Sequence, residues 1–208
     1  MGIFDDLKRS LQQDVKMELN HVKRQTNVSG VERQQLFSKA IGSIKTKTET
    51  FTFQFLPQNL NEMLQLPEAQ LTSPFQTAAL TVLALRMFPI NQNACIEMLN
   101  YLKGPQPLVA YDVQFMRDRF DYCPYVAESF FAGTSPQNNY TPSVPYQIKV
   151  RTQPNTDLNG DRITLFLDSS GADSDRPVTL RRKGNQYFLW EHHLLSGIRQ
   201  RAADDPWA

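Results

Sequence analysis

The sequence predicts an α+β fold in which a helical half packs on a C-terminal antiparallel β-sheet. The first half contains an apolar segment, 78–88, that matches a buried helix because almost every side chain in it is apolar. The last third contains segments of strand composition, two turn signals, Asn159-Gly160 and Gly184-Asn185, and no helical pattern between them. Strands that follow one another through turns pair in antiparallel order, so we expect one such sheet with the helices packed on it.

An amphipathic helix is predicted over residues 1–28, separate from the rest of the fold. Its apolar stripe requires a cover, which is the protein's own core, a second copy of the chain or a membrane surface. Asp5 and Asp14 on the polar face disfavour the membrane, so the first two covers stay open. If the stripe mediates self-association or captures a protein partner, deleting residues 1–28 should change the mass measured by light scattering. At helical spacing, the stripe consists of Phe4, Leu7, Leu11, Val15, Leu19 and Val22.

The remaining residues, 29–208, are predicted to form a single α+β domain. Its helical part spans 29–121, its β part spans 146–208, and a connection over 122–145 joins them. The connection is rich in Pro, Gly, Asn, Ser and Tyr, a composition that favours turns and is too aromatic for disorder. We therefore expect the connection to be ordered and extended.

Capping signals bound the predicted helices. Ser73-Pro74 indicates a helix start, because Ser caps free backbone amides and Pro fits the first helical turn. Asn91 indicates the start of the next helix, and Lys103-Gly104 indicates its end. A third helix is predicted over about 109–120, and a weaker helical pattern covers 31–44.

Alternating side chains predict the strands. Phe51, Phe53 and Phe55 alternate with polar residues, which indicates a strand with one apolar face. Strands are also predicted in the β part over 146–152, 163–168, 178–182 and 187–190.

The charge and cysteine content argue against several function classes. Lys and Arg total 22 against 21 acidic residues, a formal net charge of +1, so we expect no large positive field for nucleic acid. Arg181-Arg182-Lys183 is accordingly interpreted as solvated surface. Cys95 and Cys123 lack the spacing of a zinc site or of a disulfide framework. No metal and no cofactor are predicted.

The apolar segments are too short for a membrane span. The longest one, 78–88, is interrupted by Thr81 and Arg86. Asp5 and Asp6 stand where a signal peptide would need positive charge. We therefore expect a cytoplasmic protein.

No catalytic signature is visible, and the polar candidates rest on weak signals. His192 and the histidine after it face opposite sides of a predicted strand, so they are not expected to share a metal, and His192 is interpreted as a surface residue. Asp112 and Arg117 lie on one predicted helix, where the simplest interpretation is a solvated face with helix ion pairs. If the protein is an enzyme, His192, Asp112 or Arg117 must converge on a cavity with Tyr140 or Trp190.

Aromatic and amide side chains in the connection suit the binding of a peptide or small molecule. The alternative, that the aromatic rings clamp the connection onto the helices, is favoured. The candidate ligand-binding residues of this segment are Tyr122, Tyr125, Asn138, Asn139 and Tyr140.

Several short runs of distinctive composition are distributed over residues 50–208. They include Ser73-Pro74-Phe75-Gln76, Tyr101-Leu102-Lys103-Gly104-Pro105, Asn138-Asn139-Tyr140-Thr141-Pro142, Arg176-Pro177-Val178-Thr179-Leu180 and Asp205-Pro206-Trp207. Together these runs resemble an uncharacterised family of bacterial proteins, a domain of unknown function. The resemblance implies a bacterial intracellular setting and transfers no catalytic residue, cofactor or activity.

Two function classes remain. The first is a non-enzymatic intracellular binding or interaction module, which the absence of a reactive constellation, the aromatic connection and the separate N-terminal helix favour. The alternative is an enzyme acting on a small molecule in a pocket between the sheet and the helices. Convergence of His192, Asp112 or Arg117 on one cavity with Tyr140 or Trp190 would favour the enzyme, and their scatter over open surface would exclude it.

Overall fold

A strand opens the described part of the chain, four α-helices follow, and four further strands complete it. The structure is a computed structural model that describes residues 46–154 and 156–205. This order confirms the predicted α+β class. The elements are β1 (Thr48–Phe53), α1 (Leu60–Met63), α2 (Pro74–Arg86), α3 (Gln92–Lys103), α4 (Ala110–Tyr122), β2 (Tyr146–Arg151), β3 (Arg162–Leu167), β4 (Arg176–Lys183) and β5 (Gln186–His192).

The five strands form one antiparallel sheet in the order β1-β2-β3-β4-β5. Strands β4 and β5 meet at a tight turn in which Gly184 has a φ of 63°, a left-handed conformation that glycine adopts without strain. The sheet is not purely C-terminal, because Phe53 of β1 pairs with Tyr146 of β2. Phe55, predicted on the apolar face of that strand, lies beyond its end and is exposed, because the chain bends at residues 54 and 55.

Helix α2 lies at the centre of the core and contacts all five strands. Ser73 accepts a hydrogen bond from a backbone amide of the first turn, and the Gln76 side chain accepts one from the Ser73 amide at 3.0 Å, which forms a capping box. The buried hydroxyl of Thr77 donates to the carbonyl of Tyr187, and that of Thr81 donates to the carbonyl of Thr77. Both buried polar groups are therefore satisfied. Each fully buried Leu or Val of α2 contributes roughly 1.5–3 kcal/mol through burial.

Helices α3 and α4 begin and end close to the predicted positions. The Asn91 side chain caps α3 by accepting a hydrogen bond from the Ala94 amide, and Gly104 ends the helix with a φ of 57°. Helix α3 packs on α2 and β5. Helix α4 buries only Met116 and Phe120, so it is attached along a narrow face.

The predicted connection between the helices and the β part contains two short 3₁₀ helices, Val126–Phe130 and Pro136–Asn138. Phe131 forms an isolated bridge with Ile148, and the Ala132 amide donates to the Gln147 carbonyl at 2.8 Å. These contacts fix the connection to β2.

The predicted N-terminal helix over 1–28, its apolar stripe, the domain boundary at residue 29 and the weak helix over 31–44 lie outside the described residues. Within residues 46–154 and 156–205, no helix combines the length and the apolar character that crossing a membrane requires.

Candidate functional site

Two adjoining cavities lie beside strand β5 and share the side chains of Lys103, Leu189 and Trp190. The first measures about 220 Å³ and the second about 180 Å³. We name them the basic cavity and the histidine cavity. Besides the shared residues, the basic cavity is lined by Pro105, Gln106, Arg181, Arg182, Lys183 and Phe188, and the histidine cavity by Leu99, Leu108, Asp112, Phe115, Met116, Glu191 and His192.

Gly104 sets the distance between the end of α3 and strand β5. A Cβ atom at this position would lie 2.4 Å from a ring carbon of Phe188, and the φ of 57° also favours glycine. Beside it, the Lys103 Nζ donates a hydrogen bond to the Trp190 carbonyl at 3.2 Å. The helix end and the strand are therefore held in close contact where both cavities open.

The basic cavity contains guanidinium groups packed against an indole ring. Arg162 of β3 lies opposite Arg181 of β4 in the sheet register. Their guanidinium carbons lie 4.7 and 4.8 Å from the centroid of the Trp190 ring. Contacts of this kind contribute roughly 0.5–1 kcal/mol each at exposed sites. Within residues 46–154 and 156–205, no carboxylate forms an ion pair with either guanidinium.

The histidine cavity contains a neutral imidazole. His192 ends β5, and its Nδ1 is buried with no hydrogen-bond partner in the described part of the chain. Burial, reinforced by the nearby charges of Lys103 and His193, lowers the pKa of His192 to about 4. His192 is half-buried rather than a surface residue as predicted, because side chains of α3 and α4 enclose the end of the strand.

Asp112 and Arg117 share helix α4 but not a site. The Asp112 Oδ2 accepts a hydrogen bond from the Val109 amide at 3.0 Å, which ties this carboxylate to the start of the helix while it lines the histidine cavity. Arg117 is exposed, donates to the Gln114 Oε1 at 2.9 Å and lines neither cavity.

Two aromatic residues of the connection, Tyr125 and Tyr140, contact the segment 199–204. Tyr140 is 1% exposed, stacks on Tyr125 at 5.4 Å between ring centroids and donates its hydroxyl to the Arg199 carbonyl at 2.8 Å. The Arg201 guanidinium carbon lies 4.3 Å from the Tyr125 ring centroid, and two Arg201 nitrogens donate to Asp204 at 2.8 and 2.9 Å. We name these five residues the C-terminal clasp. These rings hold the connection against residues 199–204, whereas sequence analysis predicted that they clamp it onto the helices.

Asn138 and Asn139 make hydrogen bonds that stabilise the connection, and Tyr122 is exposed. The Asn138 Oδ1 accepts a hydrogen bond from the Ser135 amide at 2.8 Å, and the Asn139 Oδ1 accepts one from the Ala203 amide at 3.0 Å. Tyr122, at the end of α4, is 81% exposed and lines neither cavity.

Among the predicted site residues, the structure brings Asp112, Trp190 and His192 to the histidine cavity and places the others outside both cavities. Sequence analysis missed Lys103 and Arg162, which the fold adds to the Arg181-Arg182-Lys183 run. A usable signal was present, because the segment 176–190 contains four basic residues and neither Asp nor Glu.

The described residues contain no group of three or more His, Cys, Asp and Glu side chains suited to a metal ion. Cys95 and Cys123 are free and buried. Burial raises the pKa of Cys95 to about 12, so this thiol packs as a small apolar group and does not act as a nucleophile at neutral pH.

Comparison with known proteins places the chain in a family without assigning it an activity. No curated protein and no solved structure matches it. Residues 55–202 match the model of DUF6935, described as a domain of unknown function. The match covers most of the chain and confirms the predicted resemblance to an uncharacterised family. The chain therefore belongs to the DUF6935 family.

Proposed function

We propose that this protein is a non-enzymatic binding module whose ligand occupies the paired cavities around Trp190. One observation carries the proposal: cationic side chains without carboxylate partners among the described residues line a cavity that adjoins a neutral imidazole. A concave surface with an apolar floor and a few convergent polar groups is typical of small-molecule sites.

The alternative is catalysis in the histidine cavity, where His192 and Asp112 share a cavity with Trp190, the arrangement that the enzyme interpretation requires. An acid–base histidine works best when its pKa lies near the working pH, whereas the pKa of His192 is about 4. Its imidazole is therefore a weak base at neutral pH. The Asp112 carboxylate is already engaged by a backbone amide of its own helix. Both observations support ligand binding over proton transfer.

The proposed setting is the bacterial cytoplasm. The resemblance to a bacterial family supports the source, and the two free, buried cysteines are compatible with a reducing compartment. Self-association or capture of a protein partner through residues 1–28 stays a prediction about residues outside the described part of the chain.

A thermal-shift screen of a small-metabolite panel against the full-length chain tests the binding proposal. We expect stabilising compounds to lose their effect in Trp190→Ala and to keep it in Tyr122→Ala, a matched aromatic deletion outside both cavities. A ligand at about 100 times its Kd stabilises the folded state by about 2.7 kcal/mol, which raises Tm by several degrees.

Two outcomes would contradict the proposal. If the stabilising compounds act equally on Trp190→Ala and on the parent chain, the ligand site lies elsewhere. If mass spectrometry shows that a bound compound is converted, and His192→Gln stops the conversion, the enzyme alternative is correct.

A further inference from the structure

Positive charge is concentrated in the basic cavity beside Trp190, although the whole chain has a formal net charge of only +1 and the carboxylates Asp112 and Glu191 line the adjoining histidine cavity. The segment 176–190 contributes four basic residues and no Asp or Glu. The sheet register places Arg162 opposite Arg181, and the end of α3 adds Lys103. Like charges gathered at one place repel one another, so this cluster favours a bound counter-anion.

The indole ring restrains two members of this cluster. Arg162 and Arg181 both contact Trp190 through cation–π interactions, and neither forms an ion pair within residues 46–154 and 156–205. A planar guanidinium presents paired N–H donors that match two oxygens of a phosphate group. Holding the guanidinium in place lowers the entropy lost when an anion binds.

The charge and size of the basic cavity select the kind of anion. Lys103, Arg181, Arg182 and Lys183 all line it. A carboxylate carries one negative charge and a phosphate monoester about 1.5 to 2, so four cations are balanced by two or three linked phosphates. The volume of about 220 Å³ equals roughly seven water molecules, which is enough for a diphosphate or triphosphate group. Phe188 and Trp190 supply apolar walls, while Arg181, Arg182 and Lys183 are exposed and reach the cavity from its rim.

We propose that the basic cavity binds a diphosphate or triphosphate group, either free or carried by a small molecule. In this assignment, Arg181 and its neighbours Arg182 and Lys183 contact the phosphates, and Lys103 contributes from the helix end. The assignment rests on the proposed function, because it places the ligand in the cavities that define the binding module.

Isothermal titration calorimetry of the full-length chain with inorganic tripolyphosphate tests the assignment. We expect saturable binding that weakens as ionic strength rises. Arg181→Gln should weaken it at least about tenfold, the effect of losing a charged hydrogen-bond donor. Arg181→Lys keeps the charge but loses the paired donors, so it should bind more weakly than the parent and more tightly than Arg181→Gln.

Arg117→Gln is the matched control, because it removes the same charge from an exposed helix position outside both cavities. We expect it to bind tripolyphosphate as the parent does. Equal weakening in Arg117→Gln and Arg181→Gln would overturn the assignment in favour of general charge attraction. Circular dichroism of each variant verifies that the fold is intact.

Calorimetric titrations with ATP and with pyrophosphate identify the source of the phosphates. Equal affinity for tripolyphosphate and ATP supports a free polyphosphate, and tighter ATP binding supports a small molecule that carries the group. A single-stranded oligonucleotide that binds more tightly than tripolyphosphate and responds to Arg181→Gln would overturn the assignment in favour of nucleic acid.

Failure of this assignment and failure of the proposed function give different results. If folded parent protein does not bind tripolyphosphate, but screened compounds respond to Trp190→Ala, the anion assignment is wrong and the binding module stands. If neither tripolyphosphate nor any screened compound responds to Trp190→Ala, both proposals fail.

Discussion

The C-terminal clasp and the basic cavity each place a guanidinium against an aromatic ring. In the clasp, Arg201 lies 4.3 Å from the Tyr125 ring centroid and donates two hydrogen bonds to Asp204. In the basic cavity, Arg181 lies 4.8 Å from the Trp190 ring centroid, and no carboxylate within residues 46–154 and 156–205 pairs with it.

The difference shows how one local motif serves two purposes. A guanidinium neutralised by its own chain has its charge satisfied in the folded state, so its contacts only hold the fold together. A guanidinium without an internal partner keeps donors and charge available to a molecule from solution. The aromatic contact alone therefore does not distinguish a structural element from a binding site, whereas the presence or absence of a carboxylate does.

Replacing the central ring of the clasp should give the largest effect on stability. Tyr140→Ala removes a buried aromatic side chain and its hydrogen bond to Arg199, so we expect a loss of about 3–5 kcal/mol in urea unfolding. Trp190→Ala should cost about 1 kcal/mol or less in the same assay, because its contacts lie in an open cavity. If Trp190→Ala is as destabilising as Tyr140→Ala, the two regions do not differ and the cavity is structural.

His192 should give an intermediate effect that depends on pH. Its pKa is about 4 in the folded state and about 6.5 when exposed, so the unfolded chain binds more protons between these values. The contribution of the neutral imidazole is fully present above pH 6.5 and is lost as pH falls towards 4. Between pH 7 and 4.5 the parent chain should lose roughly 2 kcal/mol more stability than His192→Gln, measured by urea unfolding at both pH values.

The neighbouring exposed histidine supplies the control for this pH experiment. His193→Gln should keep most of the pH dependence of the parent chain, because burial is the main cause of the lowered pKa of His192 and the His193 charge contributes less. Parallel pH curves for the parent and His192→Gln would show that the imidazole is open to water and that the histidine cavity does not contain a buried neutral imidazole.

Removing only the hydroxyl of the clasp ring should give a much smaller effect than removing the whole ring. Tyr140→Phe keeps the stacked ring and loses the hydrogen bond to the Arg199 carbonyl, so we expect a loss of about 1 kcal/mol in urea unfolding. Tripolyphosphate binding should stay at the parent level. A loss equal to that of Tyr140→Ala would mean that the polar contact, rather than ring burial, holds the clasp.

The helices could be predicted closely because their signals are local. Ser73 and Asn91 cap the backbone within their own first turns, and Gly104 ends α3 through its own φ angle. The end of β1 at Phe53 could not be predicted from local sequence, because a strand ends where its distant partner stops pairing, here at Tyr146.

The candidate site could be predicted only in part for the same reason. His192 was visible as a candidate, but its burial depends on packing by two helices that lie about 70 to 100 residues earlier in the chain. The basic cavity depends on helix packing that brings Lys103 to Arg181, and sheet register brings Arg162 beside Arg181 on the Trp190 ring. The shortage of acids between 176 and 190 gave the charge of this site but not its location.

Because position 104 has no side chain, the residue found there in a related sequence indicates whether that protein can form the same cavities. Any larger residue there would push the ring of Phe188 aside, since a Cβ would lie within 2.6 Å of two of its carbons. Relatives that keep glycine at this position are therefore expected to retain the cavities, and those that replace it must have reshaped them. An inventory of this one position would sort the family into members suited to the same ligand and members that are not.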